Sequence, residues 1–195
     1  MNNKQFVPTA LFSLVLCVLA FSAVSAQNRA MSEAMKYSGD SFPIVMRTPQ
    51  GATVYAASRP NQAELNAIDS GLTDLFAVAR KNGYSRKTAY SDYTVFIGKP
   101  DRLKNGDGQY SPDIAIGAAQ YAGTMYDKGG YIYVAGMVIS NDPCAFLIAE
   151  HTRDLDRMSN VVRYEGEHLI LYHNDRRRYE ATKDHSKGGS HPILL

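Results

Sequence analysis

The chain has no tryptophan and only two cysteines in 195 residues, and its 21 lysines and arginines almost balance its 19 aspartates and glutamates. Cys17 lies in an N-terminal apolar run and is expected to leave with it, which makes Cys144 the single cysteine of what remains. No internal disulfide can form there, so stability must come from packing or from a metal. The small net charge excludes a chain built on electrostatic attraction to nucleic acid. The one dense basic cluster, Arg176-Arg177-Arg178, reads as a solvated helix end, where cations suit the negative pole of the dipole. Neither an internal repeat nor a low-complexity block is present. The 13 tyrosines suit a polar binding surface and β-strands equally, and so do not select a function.

Long apolar runs are also scarce. Residues 1–26 carry one charge, Lys4, then an apolar stretch from Ala10 to Ala23, and close on Val24-Ser25-Ala26, small residues suited to signal peptidase. This pattern predicts a secretory signal peptide, and hence a periplasmic or secreted protein. The residue before Cys17 is Leu16 rather than a small one, which argues against a lipoprotein site. The stretch is 14 residues long, short of the roughly 20 that span a bilayer, so no stable membrane anchor is expected after cleavage. The remaining 169 residues hold 20 basic and 19 acidic side chains, a net charge of +1, and are enough for one domain with a real core.

Residues 27–40 are polar with no sustained period, and are expected to form a flexible lead-in to a single domain over residues 41–195. Two short extended segments, Pro43 to Met46 and Ala52 to Ala56, flank Thr48-Pro49-Gln50-Gly51 and predict a hairpin. Residues 60–82 give the clearest amphipathic helix. Leu65, Ile68, Leu72, Leu75, Phe76 and Ala79 share one face, Pro60 suits the first turn, and Gly83 ends it as a left-handed cap. Gly71 weakens its middle by roughly 1 kcal/mol. Tyr93 to Gly98 and Tyr131 to Ile139 read as strands, while Tyr110 to Tyr126 is ambiguous. Between them, Asn105-Gly106-Asp107-Gly108 lacks the acidic spacing of a calcium loop and reads as a turn. Cys144 to Glu150 is apolar throughout and is read as a strand in preference to a short helix. Ser159 can cap a final helix over residues 159–174, and Lys183 to Leu195 reads as irregular. The class implied is α+β.

All five histidines, His151, His168, His173, His185 and His191, fall in the last 45 residues, which invites a metal hypothesis. Within the final helix, Tyr164-Glu165-Gly166-Glu167-His168 has the form of His-Glu-x-x-His with tyrosine in place of the first histidine. In the intact motif two histidines four residues apart project from one helical face onto zinc, and the glutamate beside the first acts on water at the metal. His173 lies five residues beyond His168, roughly 140° around the helix, and is a poor partner for it. His185 or His191, brought back by the tail, could supply further ligands.

The order of an amphipathic helix, strands and a Glu-x-x-His helix resembles the core of the zincin-like metallopeptidases, where a backing helix and a sheet precede the metal helix. Arg163-Tyr164-Glu165-Gly166-Glu167-His168, followed by Tyr172-His173-Asn174-Asp175 and Gly188-Gly189-Ser190-His191-Pro192, is more narrowly similar to secreted bacterial proteins with Arg-His-Glu-x-Glu-His and a Gly-His-Pro tail. The resemblance implies a zincin-like fold with a small mixed or antiparallel sheet. It also implies a Zn2+ cofactor, His168 as a ligand, Glu165 as general base and a peptide or protein substrate. Tyr164 departs from the pattern. A phenol with a solution pKa near 10 binds metal weakly, which leaves Glu167, His185 and His191 as replacement ligands.

Three outcomes stay open at this level: an active zinc hydrolase, a metal site without hydrolysis, and a secreted non-catalytic binding or structural module on the same scaffold. Glu165 and His168 could form only a local charge-assisted contact, Tyr164 could be a core tyrosine, and Gly166 could mark close packing against another element. A separate enzyme hypothesis would place the Cys144 thiol at a helix N-terminus with His151 as base. A lone cysteine in an apolar run is more often simply buried.

Overall fold

The computed structural model describes residues 27–100, 111–117, 122–123, 128–185 and 191–195. The expected signal peptide, the Asn105–Gly108 turn and the Gly188-Gly189-Ser190 part of the tail lie outside these residues. In chain order the described elements are helix α1 (residues 27–38), strands β1 (Ile44–Arg47) and β2 (Thr53–Ala56), helix α2 (Gln62–Lys81) and strand β3 (Tyr93–Gly98). Strands β4 (Ile114–Gly117), β5 (Tyr131–Val134), β6 (Gly136–Ser140) and β7 (Cys144–Ala149) follow, and helices α3 (Leu155–Asn174) and α4 (Arg176–Thr182) close the chain. The fold is a mixed α+β structure. No helix among the described residues is long and apolar enough to cross a membrane.

The main sheet has the order β1-β2-β3-β7-β6. Strands β2, β3 and β7 run parallel to their neighbours in this set, while β1 and β6 are antiparallel edges. Parallel pairs need a long crossover, and α2 supplies it between β2 and β3. Every residue of β3 and β7 is buried, because helices cover one face of the sheet and α1 with the separate β4–β5 ribbon covers the other. That double burial explains why Tyr93 to Gly98 and Cys144 to Ala149 are apolar without alternation. On one face Val54, Val95, Phe146 and Ile148 pack beneath Ile68, Leu72, Leu75, Met158 and Val162. On the other, Phe96, Ala145 and Leu147 meet Ala30, Ala34, Phe42, Ile114 and Ile132.

Several expectations change. The stretch 27–40, expected to be flexible, is helical over residues 27–38. Ala30 and Ala34 lie one turn apart and are buried against the sheet, so a two-alanine stripe is too small to register as amphipathic. Helix α2 is capped by Asn61, not opened by Pro60: the Asn61 side chain accepts from the Glu64 backbone, and Glu64 returns the bond to the Asn61 backbone. Gly83 follows its end at φ 76°, as expected. Tyr131 to Ile139 is two strands rather than one. Strand β5 pairs with β4, and after Ala135 the chain joins the main sheet as β6. Helix α3 begins at Leu155 under an Asp154 cap, which places Ser159 inside the helix. The arginine triplet opens α4 instead of trailing α3. The hairpin of β1 and β2, the strand at Cys144 and the irregular tail, where described, match their expectations.

Helices α2 and α3 run side by side across the sheet and approach through two glycines. A methyl group at Gly71 would overlap the Ser159 carbonyl oxygen and stand 2.9 Å from Val162 Cβ, and one at Gly166 would overlap Leu75 Cδ2. Gly71→Ala should therefore destabilise the protein even though alanine favours helix by about 1 kcal/mol. The overlap with the Ser159 backbone puts the overpacking cost at the upper end of about 1–3 kcal/mol, so the expected net loss is about 2 kcal/mol, read from the denaturant midpoint.

Candidate metal centre

The close helix pair fixes where α3 presents its residues. His168 is 5 % exposed and Glu167 fully buried, while Tyr164 and Glu165 are half-buried. Asp175 then turns the chain. Its backbone N–H donates to Leu171 O, and its carboxylate accepts from the Arg178 backbone at 3.0 Å, so it closes α3 and caps α4 at once. Helix α4 carries the chain back along α3, which delivers His185 to His168 with the two Nε2 atoms 2.7 Å apart.

His191 arrives from the C-terminal end. Its ring centroid lies 5.0 Å from that of His168 and 4.7 Å from that of His185. One ligand nitrogen from each of the three histidines falls within 4.8 Å of the others, a grouping that could hold a metal ion. The His191 ring stacks on Tyr164 with centroids 5.7 Å apart and planes 30° apart. The residue at the expected first-ligand place therefore meets a histidine from the tail.

Glu165 Oε1 stands 3.7 Å from His191 Nε2, at the rim of the histidine group. Glu167, a candidate replacement ligand by sequence, faces the tail instead. Its Oε1 is paired with Arg163, and its Oε2 accepts from the Ile193 backbone N–H at 2.6 Å and lies 3.2 Å from His191 Nδ1. A proton on Nδ1 shared with Glu167 leaves Nε2 of His191 facing the group, the arrangement by which carboxylates orient metal-ligating histidines. The sequence signal was present as an i,i+4 pair, Arg163 and Glu167, but pairs of that kind are usually superficial.

The electrostatics fit a cation. Burial pushes the His168 imidazole down to about 4, with help from the neighbouring histidines and against the pull of Glu165, so it stays neutral with a lone pair to give. At His191 burial also opposes charge, yet the flanking Glu165 and Glu167 carboxylates outweigh it and raise the group to about 9. The place between these side chains thus favours a positive charge, carried by a proton or by a metal. His168 Nδ1 and His191 Nε2 are both buried without a hydrogen-bond partner. Three imidazoles grouped in this way are a donor set that zinc and similar ions take.

The site opens on a cavity of about 430 Å³ that runs along β6, the edge strand of the main sheet among the described residues. Glu165, His168 and His185 line it together with Ile132, Val134 and Met137.

The remaining conspicuous residues have other tasks. His173 stands 2.8 Å from Asn141 O through Nε2 and fastens the turn between β6 and β7. Asn174 accepts from the backbones of Ser85 and Arg86 and donates to Arg86 O, which clips the loop after α2 to the end of α3. The Tyr172-His173-Asn174-Asp175 run is accordingly a set of anchors. His151 lies beyond the far end of β7 from Cys144, beside Asp113 at 3.4 Å, and Arg157 holds the same carboxylate through two bonds. The proposed Cys144–His151 pair therefore does not form. The nearest histidine to the thiol is His173, at 3.5 Å, and burial pushes Cys144 up to about 12.

Comparison with protein-family models, with curated proteins and with solved structures finds no match to this chain.

Because Cys144 is buried and held as a thiol, it should resist alkylation at pH 8, where a pKa of about 12 leaves about one thiolate in ten thousand. Complete reaction in denaturant and little in native buffer is the expected result of a thiol-reagent time course. Stoichiometric labelling of the folded protein within minutes would contradict it.

Proposed function

We propose that this chain is an exported zinc-dependent peptidase in which His168, His185 and His191 hold the metal and Glu165 serves as general base. The observation that carries the reading is the convergence of those three histidines from three separate segments beside the half-buried Glu165. Three imidazoles drawn together in this way, with two ring nitrogens buried and unpartnered, are polar groups that a bound ion would help to satisfy.

The zincin resemblance supplies the reaction class. A backing helix, α2, lies against the motif helix, α3, and both rest on one face of a mixed sheet, an arrangement that supports the zincin-like reading without a structural match behind it. Bound zinc supplies Lewis acidity and lowers the pKa of water from 15.7 to about 7. Glu165 is half-buried on the same rim, and a carboxylate there can take a proton from water and pass it to a leaving amine. The Tyr164 ring packs on His191 and orients it. Strand β6 leaves one edge unpaired among the described strands, along the cavity, so an extended peptide can add to it by backbone hydrogen bonds. The apolar wall of Ile132, Val134 and Met137 favours apolar side chains in that peptide.

Elemental analysis of the purified protein after zinc reconstitution should give about one equivalent, and His168→Ala should lose most of it. Glu165→Gln should keep the metal while peptide hydrolysis falls about a hundredfold or more. Less than about a tenth of an equivalent in the parent protein defeats the metal reading. Full metal with no hydrolysis of broad peptide libraries defeats the peptidase reading and leaves a metal-binding module.

A further inference from the structure

The C-terminal segment is fastened more thoroughly than an irregular tail needs to be. Glu167 takes both the Ile193 N–H, at 2.6 Å, and the His191 ring, while Arg163 pairs with Glu167 and donates to Leu194 O at 3.3 Å. Arg178 of α4 donates to Ile193 O, and Asn82, just past the end of α2, donates to Leu195 O at 3.1 Å. Leu194 is fully buried in the core cluster beneath the helices, yet Leu195 is 75 % exposed. Three helical regions thus grip five residues, and the gripped segment contains one of the three histidines.

We propose that residues 191–195 are a metal-linked latch: Glu167 is the positioning residue that seats the tail, and seating it delivers His191 as the final ligand. This deepens the metal-site reading and rests on it. The chemistry follows from the bonds. A single carboxylate oxygen of Glu167 holds the His191 ring and the backbone two residues later, so ring orientation and tail docking are one event. A ligand that His191 helps to hold must then favour the docked tail, and the docked tail must favour the ligand by the same factor. Tail and ion form one cooperative unit, with Arg163 keeping the buried Glu167 charge paired whether or not the tail is seated.

Two measurements with zinc as the probe test this at fixed pH. Competition against a chromophoric chelator gives the zinc dissociation constant of the full chain and of Glu167→Gln, which keeps the shape but weakens both bonds to the tail. The variant should bind about ten- to a hundredfold more weakly, the range for partners that orient a metal-ligating histidine, while its metal-free thermal midpoint is recorded separately. The second measurement needs no variant: a serine carboxypeptidase, which itself requires no metal, is applied to the full chain with and without saturating zinc. Release of the buried second leucine, Leu194, should slow about tenfold or more with zinc, as the reciprocal coupling demands. Zinc affinity in Glu167→Gln within twofold of the parent overturns the latch, as does Leu194 release that zinc does not change. Failure of the unaltered chain to bind zinc at all overturns the metal site itself, and the latch with it. A purely structural Glu167 would lower the thermal midpoint and leave the affinity of the folded fraction unaltered.

Discussion

The contact between α2 and α3 at Gly71 and Gly166 is the constraint from which the rest of the molecule follows. Without Cβ atoms at these positions the two helices lie close enough to share one face of a narrow sheet, and Leu75 occupies the space that a side chain at residue 166 would fill. Close approach costs helix propensity at both glycines, and the cost is offset by burial of Leu72, Leu75, Val162 and Ile170 in one cluster. It also fixes the rotation of α3. With Gly166 turned toward α2, Glu167 and His168 fall under the returning chain, and Glu165 is left at the rim of the cavity. Helix packing and site geometry are therefore set by the same residue.

The histidine cluster differs from the intact His-Glu-x-x-His pattern in where its histidines come from. In that pattern the helix alone supplies two, four residues apart, already aligned by the backbone. Here α3 supplies His168, and the other histidines come from the chain that follows it. Distances of this kind are harder to hold than those within one helix, which gives a reason for the anchors around them: Asp175 at the corner of α3 and α4, and Glu167 beneath the tail. Tyr164 finds a place in that scheme as a flat surface against which a tail histidine rests.

Much of this was legible in the sequence where a single periodicity decides. The face of α2 and the runs of β3 and β7 could be read because burial on one or both sides imposes a repeat or its absence. The grouping of His168, His185 and His191 is foreshadowed by the crowding of all five histidines into the last 45 residues, although that crowding does not separate these three from His151 and His173. What could not be read depends on partners distant in sequence. Helix α1 shows only two buried alanines, the break at Ala135 arises because two sheets compete for one extended run, and the role of Glu167 needs the backbone of Ile193. His173, set apart from His168 by its angle on the helix, is an anchor for Asn141, a contact that no spacing rule contains.

The seating of residues 191–195 bears on the order in which the histidine cluster can assemble. Synthesis proceeds from the N-terminus, so β1 through α3 are made before the residues that carry His185 and His191. Until those emerge, His168 has neither imidazole beside it, and Arg163 and Glu167 have only one another. The helix pair and the sheet can therefore form first, and the cluster closes later on a scaffold that already stands.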